Sequence, residues 1–330
     1  MLSVVVPIYN EQENLPELSR RLREACDTTG LSWEVLFVDD GSTDGSGEVL
    51  EALHASDERM KVVTLSRNFG HQPAVSAGLA EARGDAVVLI DGDLQDPPEL
   101  ISDFVARWRE GADVVLAERT SRDDATFRNP LRAIGFTLFY PLFRRVSDLP
   151  TAPDTGIFGL MDRAVVDELN AMPERSRFIP GLRAWLGFRT ATVQYDRADR
   201  AAGAPKQTLV RLIKYAADGM FSFSTKPLKI ATLLGFLVSL GSLWLAAYYA
   251  LSKWINDKPT DGFTTTIVVV LFLGGVQLIT VGILGEYIGR IYEEVKQRPL
   301  YVIRRKLGVG ETSTRPVVRR EVEVSTSENP

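Results

Sequence analysis

The 330-residue sequence holds one cysteine, Cys26, so no disulfide can form within the chain. Cys26 sits in an amphipathic stretch and reads as core. No basic run precedes the first apolar segment, and Leu2 to Val6 is too short for a signal peptide, so the first domain is expected to stay in the cytoplasm. Positive charge is not in excess. The formal net charge of -5 argues against general nucleic-acid binding. A Gly-x-Gly-x-x-Gly turn is missing between the first strand and the first helix, where Pro7-Ile-Tyr-Asn-Glu11 stands instead. That excludes a standard NAD-binding domain. Charged residues at 25% and hydrophobic residues at 45% are ordinary for a globular protein. The averages hide a split, because the last third carries two long apolar segments.

What is present is organised around Ala86-Val-Val-Leu-Ile-Asp91-Gly92-Asp93-Leu94-Gln95-Asp96-Pro97-Pro98-Glu99. Its apolar run reads as a fully buried strand that ends in two carboxylates. Gly92 between them is expected to let phosphates approach. Pro97 and Pro98 preset the next helix, with Asp96 as its cap. Carboxylates beside a phosphate site suit a divalent cation, since Mg²⁺ is typically held by one or two carboxylates plus substrate phosphates.

Further apolar strands are expected at Leu2 to Pro7, Glu34 to Asp40, Lys61 to Ser66 and Asp113 to Ala117, with helical spacing between them. This alternation predicts βαβ units and a mostly parallel sheet. Three strands end in polar turns, Asn10-Glu11, Asp39-Asp40 and Asp91-Asp93, and a parallel sheet gathers such ends on one edge. Nucleotide binding follows, with Asp39 or Asp40 accepting from base or ribose while Asp91 and Asp93 handle the pyrophosphate through a metal.

Val4-Val-Val-Pro-Ile-Tyr-Asn-Glu11, Val38-Asp-Asp-Gly-Ser-Thr-Asp44 and Asp91-Gly-Asp-Leu-Gln-Asp-Pro-Pro98 resemble the motif series of inverting family 2 glycosyltransferases. The likeness is closest to polyprenyl-phosphate enzymes of the bactoprenol glucosyltransferase and dolichol-phosphate mannose synthase type, and spans Leu2 to Gly308. It implies an α/β fold of GT-A type, a Rossmann-like nucleotide-diphospho-sugar transferase domain. It places Pro7, Tyr9, Glu11, Asp39, Asp40 and Asp91 at the nucleotide sugar, and Asp91, Asp93 and Gln95 around Mg²⁺ or Mn²⁺. It makes Asp154 the candidate base, with Asp93 also in the catalytic set. A phosphomonoester with a second pKa near 6 is already nucleophilic at about pH 7, so Asp154 can equally orient the acceptor. The family's Arg-x-x-Gly-x-Ser-Lys/Tyr loop is matched by Arg200, Gly203 and Lys206, with Pro205 in place of the serine.

Arg119, Arg122, Arg128 and Arg132 follow the fifth strand and suit an anionic acceptor, because guanidinium meets phosphate oxygens in pairs. Leu209 to Phe223 reads as an amphipathic helix at a bilayer surface. Ile230 to Leu251 and Thr264 to Gly285 are uncharged and long enough to span one, joined by a polar turn. Lys and Arg flank the outer ends of this hairpin more densely than the turn, which holds only Lys253 and Lys258. Both termini and the catalytic domain are therefore expected on the cytoplasmic side of the inner membrane.

The expected layout is a GT-A domain over 1–205, an interfacial region over 206–229, a transmembrane hairpin over 230–288 and a cytoplasmic tail over 289–330 with a short strand near 299–304. The resemblance implies transfer of a hexose from a UDP-sugar, with glucose from UDP-glucose favoured, to undecaprenyl or another polyprenyl phosphate. It also implies a homotetramer. Rivals are a GDP-mannose-dependent polyprenyl-phosphate mannosyltransferase and a membrane scaffold or flippase with a vestigial domain. A processive synthase is disfavoured, since its Gln-x-x-Arg-Trp motif and extra spans are lacking.

Overall fold

The computed structural model describes residues 1–119, 155–195, 225–256 and 262–310. In chain order these form β1 (Leu2–Ile8), α1 (Leu15–Thr28), β2 (Trp33–Asp39), α2 (Ser46–Ser56), β3 (Met60–Leu65), α3 (His71–Glu81) and β4 (Ala86–Leu89). Next come α4 (Ile101–Arg109), β5 (Val114–Arg119), β6 (Thr155–Asp162), α5 (Arg163–Ala171), α6 (Ile179–Trp185) and β7 (Thr190–Tyr195). Two long helices, α7 (Lys226–Asn256) and α8 (Phe263–Lys296), lead to β8 (Ile303–Leu307).

The strands form one eight-stranded sheet in the order β7-β5-β6-β4-β1-β2-β3-β8. It is mostly parallel, as the alternation predicts, with two reversed strands. β1, β2, β3, β4, β5 and β7 run together, whereas β6 runs against both β4 and β5, and β8 runs against β3. All seven residues of β1 and of β2 are buried. Val4, Val6 and Phe37 face the layer of α1, α2 and α4, while Val5, Leu36 and Val38 face α3, α5 and α6. Burial on both faces is why these strands read as continuous apolar runs.

Pro7 does not end β1, which continues to Ile8. The Val5 carbonyl accepts from Ile90 beside β4, so Pro7, two residues on, points its missing N–H to the same side. β4 pairing has already stopped at Val5. The proline therefore costs no ladder bond.

The opposite edge of the sheet is pinned by Glu34, whose carboxylate accepts from Ser3 Oγ at 2.6 Å, Lys61 Nζ at 2.6 Å and Arg83 N at 2.9 Å. Burial opposes ionisation, but these donors outweigh it and hold the carboxyl below its ordinary value of 4.5. A depressed folded pKa gives stability that is complete above the unfolded value and lost as pH falls through the folded one. Glu34→Gln should therefore cost roughly 1–3 kcal/mol at pH 7. Thermal melts in a pH series should show the gap to wild type closing below about pH 4. A gap independent of pH would show that ionisation of Glu34 is not the source.

α7 and α8 pack against each other and are long and apolar enough to cross a membrane, with mean hydropathy 1.8 in Leu228–Leu245 and 2.6 in Thr266–Lys296. Their apolar side chains face outward; Leu243 is 69% and Leu278 74% exposed. In water such a surface would be an aggregation liability, and a bilayer removes it. The expected amphipathic helix at Leu209 to Phe223 lies outside the described residues.

α8 does not stop where its apolar part stops. Near its end Glu294 accepts from the backbone N–H of Arg175 and Ser176, each at 2.9 Å, and so grips the segment leading into α6. Gln297 turns left-handed (φ 49°) and closes the helix. The strand expected near 299–304 lies at Ile303–Leu307, because Pro299 has no N–H to give a ladder and the chain needs Arg298 to Val302 to reach β3. Ser66 N then donates to the Val302 carbonyl at 2.8 Å, and Ile303 pairs with Leu65. Lys306 meets Glu81 at 2.6 Å and Arg305 pairs with Glu51. The two-helix hairpin thus enters the sheet at the C-terminal end of β3.

Candidate active site

The C-terminal ends of β1 to β4 lie on one edge, and their loops are laced together by side chains. Asn10 adopts a left-handed backbone (φ 55°), its N–H donating to Ser42 Oγ at 3.1 Å and its Oδ1 accepting from Thr43 N at 2.8 Å. Glu11 N donates to Ser46 Oγ at 3.1 Å. Asp44 Oδ1 accepts from Ser46 N at 3.0 Å, serving the first turn of α2. These bonds fix the β1 and β2 loops as one unit.

Asp39 and Asp40 are buried. Asp39 Oδ1 accepts from Ser42 N at 2.9 Å. Asp40 reaches across to the β3 loop, one oxygen accepting from Phe69 N at 2.7 Å and the other from Gly70 N at 2.8 Å. Burial raises the Asp40 pKa, and the two N–H groups only partly offset it. Gly41 makes this approach feasible. Its φ is +68°, and a Cβ there would lie 2.5 Å from the Arg67 carbonyl carbon.

At the β4 end, Asp93 Oδ1 accepts from Gln95 N at 3.1 Å across Leu94, whose φ is 59°. Gly92 lines the cleft and also has a packing reason that the sequence does not show. A Cβ there would meet Ile8 Cδ1 at 2.6 Å and the Pro7 carbonyl oxygen at 3.3 Å, so the missing side chain makes room for β1. Asp96 is not a helix cap. It is buried and accepts from the Tyr195 hydroxyl at 2.9 Å, tying the loop to β7, while the turn Pro98–Leu100 carries no side-chain cap.

Pro7, Tyr9, Glu11, Asp40, Asp91 and Asp93 come together around a cleft of about 300 Å³. Asp39 and Gln95 lie behind it, buried rather than lining it. Arg119 ends β5 on the same edge, opposite Tyr195 of β7. Arg122, Arg128, Arg132, Asp154, Arg200 and Lys206 lie outside the described residues. The cleft also contains Asn68, Gly70 and His71, which the sequence reading passed over. The signal was available, since Arg67-Asn68-Phe69-Gly70 follows β3 as the acidic turns follow its neighbours.

His71 Nε2 lies 2.9 Å from Asp91 Oδ1. Burial works against a charged ring. The Asp91 hydrogen bond and the charges of Asp91, Asp40 and Asp93 outweigh it and hold the His71 pKa above its ordinary value. Among the described residues no group of three or more His, Cys, Asp or Glu side chains could hold a metal alone. Asp91 and Asp93 instead form a two-carboxylate oxygen set that fits a hard divalent cation only when phosphate oxygens and water complete the shell. Cys26 takes no part, since it is fully buried and burial pushes its thiol up to about 12.

An α/β sheet with a carboxylate-lined cleft at its strand ends, followed by an apolar helical hairpin, is the arrangement expected of a GT-A enzyme, and the comparisons with known proteins agree. Residues 3–169 match Glycosyl transferase family 2 and residues 226–291 match the GtrB C-terminal hairpin, and the chain belongs to glycosyl transferase family 2. It is 45% identical to an uncharacterized glycosyltransferase of Synechocystis sp., over 92% of this chain and 94% of that one. It is 40% identical to the SfII prophage-derived bactoprenol glucosyl transferase of Shigella flexneri, over 92% and 97%. Among solved structures it is similar to the mannosyltransferase PcManGT from Pyrobaculum calidifontis in complex with GDP-Man and Mn²⁺, at 16% identity over 85% and 86% with a TM-score of 0.44.

Proposed function

We propose that the protein transfers a hexose, glucose from UDP-glucose, to undecaprenyl or a related polyprenyl phosphate at the cytoplasmic face of the membrane, with inversion at the anomeric carbon. The observation that carries this reading is the entry of the α8–β8 segment at the same sheet edge as the cleft, where Ile303 pairs with Leu65 and His71 lies six residues beyond Leu65. A cleft for a soluble donor is thereby set beside the segment that a lipid acceptor would share. The relatives named bactoprenol glucosyl transferase support the same acceptor class.

Asp91 and Asp93 would hold Mg²⁺ or Mn²⁺, which when bound neutralises charge on the departing nucleoside diphosphate. Tyr9 and Glu11 line the donor side, and Asp40 keeps the β3 loop in place beneath it. Arg119, with Arg122, Arg128, Arg132, Arg200 and Lys206, supplies the positive charge for the acceptor phosphate and the diphosphate. That phosphate is mostly ionised near pH 7, about one unit above its second pKa, so Asp154 orients it or takes its last proton. The predominance of Lys and Arg at the outer ends of the hairpin supports a cytoplasmic position for both termini. Among the described residues β8 is an edge strand of the sheet, and its outer side is the surface through which copies would meet in a homotetramer.

Membranes containing the protein should convert undecaprenyl phosphate to a lipid-linked sugar with UDP-glucose, and EDTA should abolish the product. Product from GDP-mannose alone would replace the donor, and no product from any nucleotide sugar would overturn the function.

A further inference from the structure

We propose that His71 and Gln72 are positioning residues for Asp91, forming a relay from the backbone of α6 that leaves one carboxylate oxygen of Asp91 for the cleft. The inference rests on the metal reading above. The relay starts at a group whose role is fixed: the backbone N–H of Ile179 can only donate, and it lies 3.0 Å from Gln72 Oε1. That sets the orientation of the Gln72 amide, so its Nε2 is a donor toward His71 Nδ1, 3.4 Å away. In the neutral ring Nδ1 therefore accepts and the proton sits on Nε2, which donates to Asp91 Oδ1 at 2.9 Å, a bond the charged ring keeps. Among the described residues this is the one hydrogen bond that Asp91 receives. Its Oδ1 is thus occupied and its ring partner is held in one tautomer.

Asp91 sits 39% exposed at the cleft, where an untethered carboxylate would sample several rotamers. A hydrogen bond from a fixed ring removes that freedom before a cation arrives. Outer partners of this kind commonly change metal affinity about 10–100-fold. The relay also explains a local feature of the sequence. His71 and Gln72 open α3 directly after Gly70, whose φ of 101° turns the chain from the Asp40 clamp into the helix. The four consecutive residues Phe69 to Gln72 thus hold the β3 loop and aim Asp91.

The test uses the full-length protein in detergent with UDP, reading free Mn²⁺ by electron paramagnetic resonance during a Mn²⁺ titration. His71→Leu should weaken Mn²⁺ about 10–100-fold with the thermal melt in metal-free buffer unchanged. His71→Gln places an amide N–H near the Nε2 position and should recover binding to within about threefold, while Gln72→Leu should fall between. Unchanged affinity in His71→Leu overturns the relay. So does equal weakening in His71→Gln, which would mark a packing role. Wild-type protein that binds no Mn²⁺ with UDP present would remove the metal reading itself and the relay with it.

Discussion

Asp93→Asn should lower sugar transfer on the order of 1,000-fold while leaving the protein folded and in the membrane. The substitution is chosen for what it preserves. Asn keeps an oxygen where Asp93 Oδ1 accepts the Gln95 N–H, so the left-handed turn at Leu94 retains its support. What it removes is one of the two negative charges that face the cleft beside Gly92. A two-carboxylate site has no spare ligand, so the loss should appear in Mn²⁺ affinity as well as in rate. Transfer assays with matched membrane fractions and a thermal melt decide the matter. Transfer within tenfold of wild type would leave Asp93 outside the chemistry, and a collapsed melt would make the variant uninformative beside Asp91→Asn, which should lose transfer similarly.

The second large effect is expected at Gly41→Ala, a change of one methyl group. Alanine at φ +68° costs about 1–2 kcal/mol by itself. Its Cβ would also stand 2.5 Å from the Arg67 carbonyl carbon and 2.7 Å from Asn68 N, both backbone atoms that no side-chain rotation can move. The β3 loop must shift away and pull Phe69 N and Gly70 N off the Asp40 carboxylate. Together these should cost roughly 2–4 kcal/mol, a melt lowered by about 5–10 °C. Because His71 follows Gly70, UDP affinity should fall more than about tenfold as well. A melt and a UDP affinity both equal to wild type would show that the loop is not held where the Asp40 bonds place it.

The elements that were readable from the residues are those whose neighbours are local or whose pattern is continuous. β1 to β4 are apolar runs with polar ends, and their shared direction brings Glu11, Asp40, Asp91 and Asp93 to one cleft. What escaped depends on contacts far apart in the chain. The partner of Asp96 is Tyr195, 99 residues away, so a loop aspartate before two prolines looks like a cap until β7 is placed. The packing of Ile8 against Gly92 is equally hidden, because the two are 84 residues apart. β6 reverses direction because it returns beside β5, and alternation of strands and helices does not encode that return. The chemistry of His71 was hidden for a similar reason, since its meaning depends on Asp91 and, through Gln72, on Ile179.

α8 is one unbroken helix from Phe263 to Lys296, and it ends in two attachments to the catalytic unit, Glu294 and β8. Such a helix has no joint, so it behaves as a measuring rod. The stretch from Gly285 to Lys296 is about 16 Å long at 1.5 Å per residue. Once the apolar part is sunk in a bilayer, that length sets how high the cleft rides above it. Adding residues there would lift and rotate the catalytic unit without touching any residue of the cleft.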